Sequence, residues 1–489
     1  MVELLWTTYA QFGVGLELWL ATALVVFVAA GCSALSLHVL SRRKPSGSAV
    51  AWIGLIWMSP LIGWSAYGLL GVNRVQRKAQ RLLRGTPEPR DLAEGCGERP
   101  SLVLADELEH LAPLARAGDR ITEHALVPGN TVVPLRNGDQ AYLAMLQAID
   151  EAQSSVAMIT YILDDDPWGR RFEEALLAAH RRGVAVRLMV DGIGAMRGRA
   201  LVRRLRQAGV PVGSFLWSWM PWQMALINLR NHRKLLIADG RRAFTGGINI
   251  REAYVHQGGP GEARDLHFEV TGPVVRELMA AFVVDWAFDE GEVLTEEPWF
   301  PALEETGHCA ARVIPHGPDE DADKIAQIMF QAIAVAREEV VVVTPYFLPT
   351  EALQTALRAA AQRGVRVEVV LPAVNVPQVM NDVAIEDAGS LLLHGVHLGL
   401  ADGPFEHTKL MVVDRAWTLL GSSNWDPRSL RLNFELNMEV YSRPVAEAAL
   451  GQLDDLRSAV RWLTAADLRL EPFPRRLRAR VLRLFKPYL

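Results

Sequence analysis

Cysteine is scarce in this sequence: Cys32, Cys96 and Cys309 are the only three in 489 residues, far apart and odd in number. That excludes a disulfide framework and a cysteine-ligated metal centre as organising devices. No cluster of His, Cys and Asp has metal-ligand spacing either, so the sequence calls for no metal and no other cofactor. An excess of charge is also missing. The formal net charge of -5 excludes a bulk polyanion binder and makes any attraction to phosphate local. Apolar residues are plentiful, at 50% of the chain with a mean hydropathy of +0.10, and the excess lies at the amino end. The length implies more than one core, since single cores stop growing at roughly 250–300 residues.

Two apolar runs open the chain, Leu18 to Leu40 and Ala49 to Gly71. Each is long enough to cross a bilayer as a helix, which takes roughly 20 residues. Trp19, Trp52, Trp57, Trp64 and Tyr67 include rings near the run ends, where the headgroup layer favours them. A cleaved signal peptide is disfavoured, because the leading residues carry Glu3 and no Lys or Arg, and a second full-length run follows. Lipoprotein cleavage at Cys32 lacks the large apolar residue three places earlier. The loop between the runs holds Arg42, Arg43 and Lys44; the stretch after them holds Arg74, Arg77, Lys78, Arg81, Arg84 and Arg90. The larger basic cluster favours a cytoplasmic position for the rest of the chain in a multi-pass protein. With two crossings the first loop falls on the far side, and its own basic residues argue the other way.

From about Val127 strands alternate with helices, which reads as α/β. One unit occurs twice. Ser155 to Tyr161 reads as a strand, Arg171 to Arg181 as a helix and Gly183 to Val190 as a buried strand. Later Val340 to Thr344, Glu351 to Gln362 and Gly364 to Leu371 repeat the series. Both helices end in Arg-Gly-Val, with glycine at the position a helix C-cap favours.

The chemistry lies in a second repeated element. His232, Lys234 and Asp239 precede Gly246 and Asn249; His407, Lys409 and Asp414 precede Gly421 and Asn424. The apolar filling between Lys and Asp reads as a buried strand, which puts each His and Lys on one face. An imidazole beside an ammonium suits an anionic phosphate: the lysine binds non-bridging oxygens while the histidine attacks or transfers protons. Asn249 and Asn424 can each donate an amide hydrogen bond to the same phosphate. Asp239 and Asp414 complete the candidate catalytic motifs, and their odd spacing from the histidines favours a structural or orienting part. A single His-x-Lys is weak; two copies with identical internal spacing are hard to explain as solvated strand ends.

The paired motifs resemble those of the phospholipase D superfamily, and the chain looks most like the bacterial cardiolipin synthases within it. The likeness extends to the paired apolar runs, to Thr344-Pro-Tyr-Phe-Leu-Pro349, and to Asn424 through Ser429 with Asn433-Phe-Glu435. The stretch from Leu393 to Glu406 departs from the pattern, with little aromatic character. The resemblance implies two α/β repeats about a pseudo-two-fold axis. It also implies transfer of a phosphatidyl group from one phosphatidylglycerol to another through a phosphatidyl-histidine. His232 is then the nucleophile and His407 the acid–base, with near-symmetry leaving the reverse open. In the family, acids reach across the axis, so Glu435 would orient His232 and Asp265 would orient His407.

The expected organisation is a membrane anchor with two transmembrane helices over residues 1–72 and a linker over 73–125. Repeats follow over 126–300 and 301–470, then a basic amphipathic tail over 471–489. The tail interleaves Leu477, Val481, Leu484 and Tyr488 with arginines. It suits either an anionic lipid surface or a face of the core. The substrates expected are phospholipids in a membrane, with no nucleic acid, and the oligomeric state is not legible. Rival functions are a phospholipase D hydrolase, a nucleic-acid phosphodiesterase and a catalytically dead scaffold. The spans and net acidity disfavour the nuclease.

Overall fold

The computed structural model describes residues 2–42, 46–68, 104–215, 229–256, 261–295, 297–318, 323–374, 379–464, 466–467 and 473–483. The chain forms two compact units, Met1–Arg77 and Lys78–Leu489. Cys96, Arg43, Lys44 and the basic residues from Arg74 to Arg90 lie outside the described residues.

In the first unit, helix α1 covers Val2–Ser41, and its segment Trp19–Ser41 is long and apolar enough to cross a membrane. The second apolar run differs from expectation. It forms α2 over Ser46–Met58 and α3 over Pro60–Ala66, of 13 and 7 residues. Ser59 leaves helical geometry at φ -146°, and Pro60 starts the new helix, where its missing N–H costs nothing. Neither piece alone reaches the roughly 20 residues a crossing needs. Among the described residues, one helix meets that length.

The second unit is built on one 15-stranded sheet flanked by helices. The first half comprises β1 (Val127–Arg136), β2 (Ser155–Thr160), β3 (Ala185–Asp191), β4 (Val212–Phe215), β5 (Leu235–Ala238), β6 (Arg242–Gly246), β7 (Ala263–Arg264) and β8 (Leu266–Thr271). The second comprises β9 (Cys309–His316), β10 (Glu339–Val343), β11 (Arg366–Pro372), β12 (His397–Ala401), β13 (Phe405–Glu406), β14 (Leu410–Val413), β15 (Trp417–Gly421) and β16 (Glu435–Tyr441), with β17 (Val460–Trp462) at the edge. The strand order is β17-β12-β11-β10-β14-β15-β16-β9-β1-β8-β6-β5-β2-β3-β4, so apart from β17 the halves mirror each other about the central β9–β1 pair, while β7 and β13 pair with each other outside this sheet. Parallel pairing of β2 with β3 and β10 with β11 follows from the helical crossovers Pro167–Arg181 and Glu351–Gln362. The expected C-cap glycines, Gly183 and Gly364, both sit at φ 90°. The first crossover helix begins earlier than its apolar pattern implies, because Asp166 caps it, accepting from Gly169 N–H at 2.8 Å, and Pro167 opens it.

The stretch read as a linker contributes to a core. Leu108, Leu111 and Leu114 are buried with Ile325, Ile328 and Met329 of the helix Lys324–Val335. Asp119 in the same stretch pairs at 2.7 Å with Arg312, whose side chain is fully buried and also pairs with Glu439 at 2.6 Å. The tail helix Phe473–Arg483 packs along Val379–Leu392, with Arg480 paired to Glu386 at 2.6 Å and Arg478 paired to Asp382. Arg478 and Arg480 therefore face protein carboxylates. Leu484 and Tyr488 lie outside the described residues.

Asp239 and Asp414 lie at the far ends of β5 and β14 from the histidines, in left-handed turns at φ 51°. Asp239 accepts from the backbone N–H groups of Gln153, Ser154 and Ser155 at 2.7–3.1 Å. Asp414 does the same for Arg337, Glu338 and Glu339 at 2.8–3.2 Å. Each carboxylate thus fastens the entry of the neighbouring antiparallel strand, β2 for Asp239 and β10 for Asp414. Asp414→Ala strands buried donors and is expected to cost about 2–4 kcal/mol of stability with kcat of the folded fraction preserved. Denaturant unfolding beside an active-site titration checks this, and a lost kcat at unchanged stability would contradict it.

Candidate active site

Each His-x-Lys lies in the extended lead into a motif strand, so alternation sends His and Lys to one face and the middle residue to the other. The middle residue Arg233 is buried on the reverse face, bound to Asp285 at 2.9 Å and donating to the Glu435 carbonyl at 3.1 Å. Both leads pair with the opposite repeat. His232 N–H donates to the Phe434 carbonyl at 2.8 Å, and His407 N–H to the Arg264 carbonyl at 2.7 Å. The next residue along each partner segment is an acid, Glu435 or Asp265. This exchange of backbone carries the acids across the axis. His232 Nδ1 lies 2.9 Å from Glu435 Oε2, and His407 Nδ1 lies 2.7 Å from Asp265 Oδ2. A carboxylate only accepts, so Nδ1 carries the proton wherever its acid is ionised, and Nε2 keeps its lone pair.

The two halves differ in how they support the acid. Glu435 also accepts from the Ser422 hydroxyl at 2.5 Å and from Asn433 Nδ2 at 3.1 Å. At the position equivalent to Ser422 stands Gly247, where an added Cβ would come within 2.3 Å of Asp265 Oδ1. The acid one methylene shorter therefore fits only against glycine. Burial alone would raise the Glu435 carboxyl, but His232, Lys234 and Ser422 outweigh it and hold it at about 2. Burial pushes Asp265 well above the carboxylate range, with Lys409 only partly opposing it. His407 is held well below its ordinary value by burial, then by Lys409, Lys234 and His232. Burial also lowers His232, against Glu435, which raises it. One pair is thus an imidazole on an ionised carboxylate. In the other, burial drives both partners towards neutrality.

Both lysines are buried, and each Nζ donates to its own histidine's carbonyl at 2.5 Å, leaving further N–H groups for an anion. Burial lowers Lys234 to about 7 and Lys409 to about 8, and Lys234 is depressed further by Lys409. The site is therefore short of negative charge, which a bound anion would supply. As pH rises through about 7–8 the free site loses these charges. We expect kcat/KM to fall over that range while kcat, read on the anion-bound enzyme, stays flatter. A kcat/KM flat to pH 10 would remove the lysines from substrate capture.

Aromatic rings wall the site: Tyr161 lies 5.0 Å from the His232 ring and 5.4 Å from Lys234 Nζ, and Phe405 lies 5.7 Å from the His407 ring. Phe405 lies in the aromatic-poor stretch before the second motif. Asn249 does not stand free: its Oδ1 accepts from Ile162 N–H at 3.1 Å and its Nδ2 donates to the Tyr254 hydroxyl at 3.2 Å. That hydroxyl lies 3.1 Å from His407 Nδ1. Asn424 is buried and its Oδ1 has no partner among the described residues. Sequence reasoning missed Tyr254, Ser422, Arg233 and Asp285. Of these only Ser422 left a signal, as the serine replacing the first motif's second glycine.

The family described as cardiolipin synthase, PLD-like domain, matches residues 145–281 and 329–456, one match per half of the sheet. The cardiolipin synthase of Geobacillus kaustophilus (strain HTA426) is 30% identical over 97% of this chain and 94% of its own length. The chain belongs to the phospholipase D-like cardiolipin synthase family. Cardiolipin synthase A of Escherichia coli O1:K1 / APEC is 29% identical over 96% of this chain and 98% of its own length. The crystal structure of phosphatidylserine synthase from Haemophilus influenzae Rd KW20 shares the fold at a TM-score of 0.63 and 14% identity. It covers 77% of this chain and 100% of that one. As a member of the cardiolipin synthase family, the chain is a phospholipid phosphatidyltransferase.

Proposed function

We propose that the enzyme makes cardiolipin from two molecules of phosphatidylglycerol through a covalent phosphatidyl-histidine. The observation that carries the reading is the pair of imidazoles, each tied through Nδ1 to a carboxylate of the opposite repeat, with a buried lysine beside each. His232 is the nucleophile, since its fully supported, ionised Glu435 stabilises the positive charge that grows on the ring during attack. Its Nε2 forms a bond to phosphorus as the bond to the glycerol oxygen breaks. His407 gives the departing oxygen a proton, and free glycerol leaves. His407 then takes the proton of the second phosphatidylglycerol's hydroxyl. That oxygen attacks phosphorus, the P–N bond breaks, and His232 is restored. Lys234 and Lys409 hold the non-bridging oxygens throughout. Apolar amino-terminal helices keep the protein in the bacterial cell membrane, with the catalytic unit in the cytoplasm on the side favoured by Arg74 to Arg90.

Purified enzyme given phosphatidylglycerol alone is expected to release glycerol and cardiolipin in equal amounts. Phosphatidic acid as the main product would replace transfer by hydrolysis. A preference for phosphatidylethanolamine as acceptor would revise the second substrate.

A further inference from the structure

The second apolar run has the length of a membrane span and the geometry of something else. At Ser59 the chain reverses. Gly63 of α3 lies against the backbone of α2, where an added Cβ would meet the Leu55 carbonyl at 2.6 Å and Ile56 Cα at 2.7 Å. In a continuous helix residues 56 and 63 are roughly 10 Å apart along the axis, so α3 runs back along α2. The rings confirm the return, since Tyr67 at the end of α3 lies 5.3 Å from Trp52.

The position of this hairpin beside α1 is fixed by three contacts. Cys32 Sγ donates to the Ile56 carbonyl at 3.3 Å, and an added Cβ on Gly31 would meet Trp64. His38, near the end of α1, is 2.9 Å from the Tyr67 hydroxyl. The turn therefore lies beside the middle of the segment Trp19–Ser41, and the chain leaves α3 at the level of the last turn of α1. Helix α2, with 13 residues, rises about 20 Å, against about 30 Å of hydrocarbon. The helix ends that flank the turn are apolar: Met58 is 89%, Leu61 83% and Ile62 64% exposed, where water would favour polar residues. Exposed Leu24, Val25, Val26 and Phe27 on α1 continue the same apolar surface.

We infer that residues 46–68 form a re-entrant hairpin that dips to about mid-bilayer and returns, so that α1 is the only crossing they accompany and the hydrocarbon covers the turn. The inference rests on the membrane-anchored reading above. It removes the conflict in the charges. Arg42, Arg43 and Lys44 before the hairpin and Arg74 to Arg90 after it now fall on one side, the cytoplasmic one. The catalytic unit follows them there, where both basic stretches meet anionic headgroups.

The test uses the full chain with Cys32→Ser, Cys96→Ala and Cys309→Ala, and single cysteines at Glu3, Gly47, Met58 and Gly68. An added Cβ at Gly47 or Gly68 meets nothing within 4 Å. Membrane-impermeant maleimide is applied to spheroplasts and to inverted vesicles. Gly47→Cys and Gly68→Cys are expected to label only in inverted vesicles, Glu3→Cys only in spheroplasts and Met58→Cys in neither. Labelling of Gly47→Cys and Gly68→Cys from opposite faces would overturn the hairpin and leave a second crossing. Labelling of Met58→Cys from water, or its disulfide cross-linking between copies, would overturn the hydrocarbon as occupant. Extraction of the protein by alkaline carbonate, or labelling of Glu3→Cys and Gly47→Cys from one face, would instead remove the membrane-spanning reading itself.

Discussion

His232→Ala is expected to lower kcat by roughly 10⁶-fold, the scale on which removal of a covalent nucleophile acts. His407→Ala is expected to cost about 10²–10⁴-fold, the usual worth of a positioned acid–base. The two differ in kind as well as size. A donor whose leaving group is a nitrophenolate needs no proton to depart, so His407→Ala should still accept its phosphatidyl group and stall as the covalent enzyme. His232→Ala should form no adduct with any donor. Quenching without acid, using phosphorus-labelled donor, and mapping the label to the peptide containing His232 checks both statements. Label on the His407 peptide would reverse the roles. No label, with inversion at a chiral phosphorus, would replace the two-step path by direct displacement.

Lys234→Met and Lys409→Met are each expected to cost about 3–4 kcal/mol of transition-state stabilisation, or roughly 10²–10³-fold in kcat/KM. Stability should move the other way. The folded site lowers Lys234 to about 7 and Lys409 to about 8, below the ordinary value of 10.5, chiefly by burial. Folding therefore disfavours the charged amine at every pH below that of the unfolded lysine, and the penalty fades as pH rises towards 10.5. Methionine fills the same volume without that penalty, so the midpoint of unfolding at pH 7 should hold or rise. A variant both inactive and less stable would mean that the ammonium holds the fold together, for instance through the histidine carbonyls. Normal turnover would place the phosphate elsewhere.

The amino-acid order alone determined the duplicated α/β pattern, because buried strands and amphipathic helices carry their periods locally and glycine marks helix ends such as Gly183 and Gly364. It also determined the His-x-Lys pairs, since two copies at one spacing need no coordinates to be seen. Odd spacing along a strand also turns Asp239 and Asp414 away from the histidines, which favours a structural or orienting part for both. Family resemblance, and no local pattern, supplied the crossing of Glu435 to His232 and Asp265 to His407.

Tertiary structure decided the rest. Cross-repeat pairing of 232 with 434 and of 407 with 264 sets which acid meets which imidazole, and such pairing leaves no trace in local periodicity. The unequal support of the two acids depends on a hydroxyl at Ser422 and the room at Gly247, both read across strands. Helix Ala112–Thr122 is mixed in composition and reads as part of a linker, yet Asp119 belongs to a buried arginine nearly 200 residues away. The second apolar run was long enough to span, and only the reversal at Ser59 and the backbone contact at Gly63 showed a hairpin. Hydropathy counts residues, whereas the direction of a chain after a proline is fixed by what it packs against.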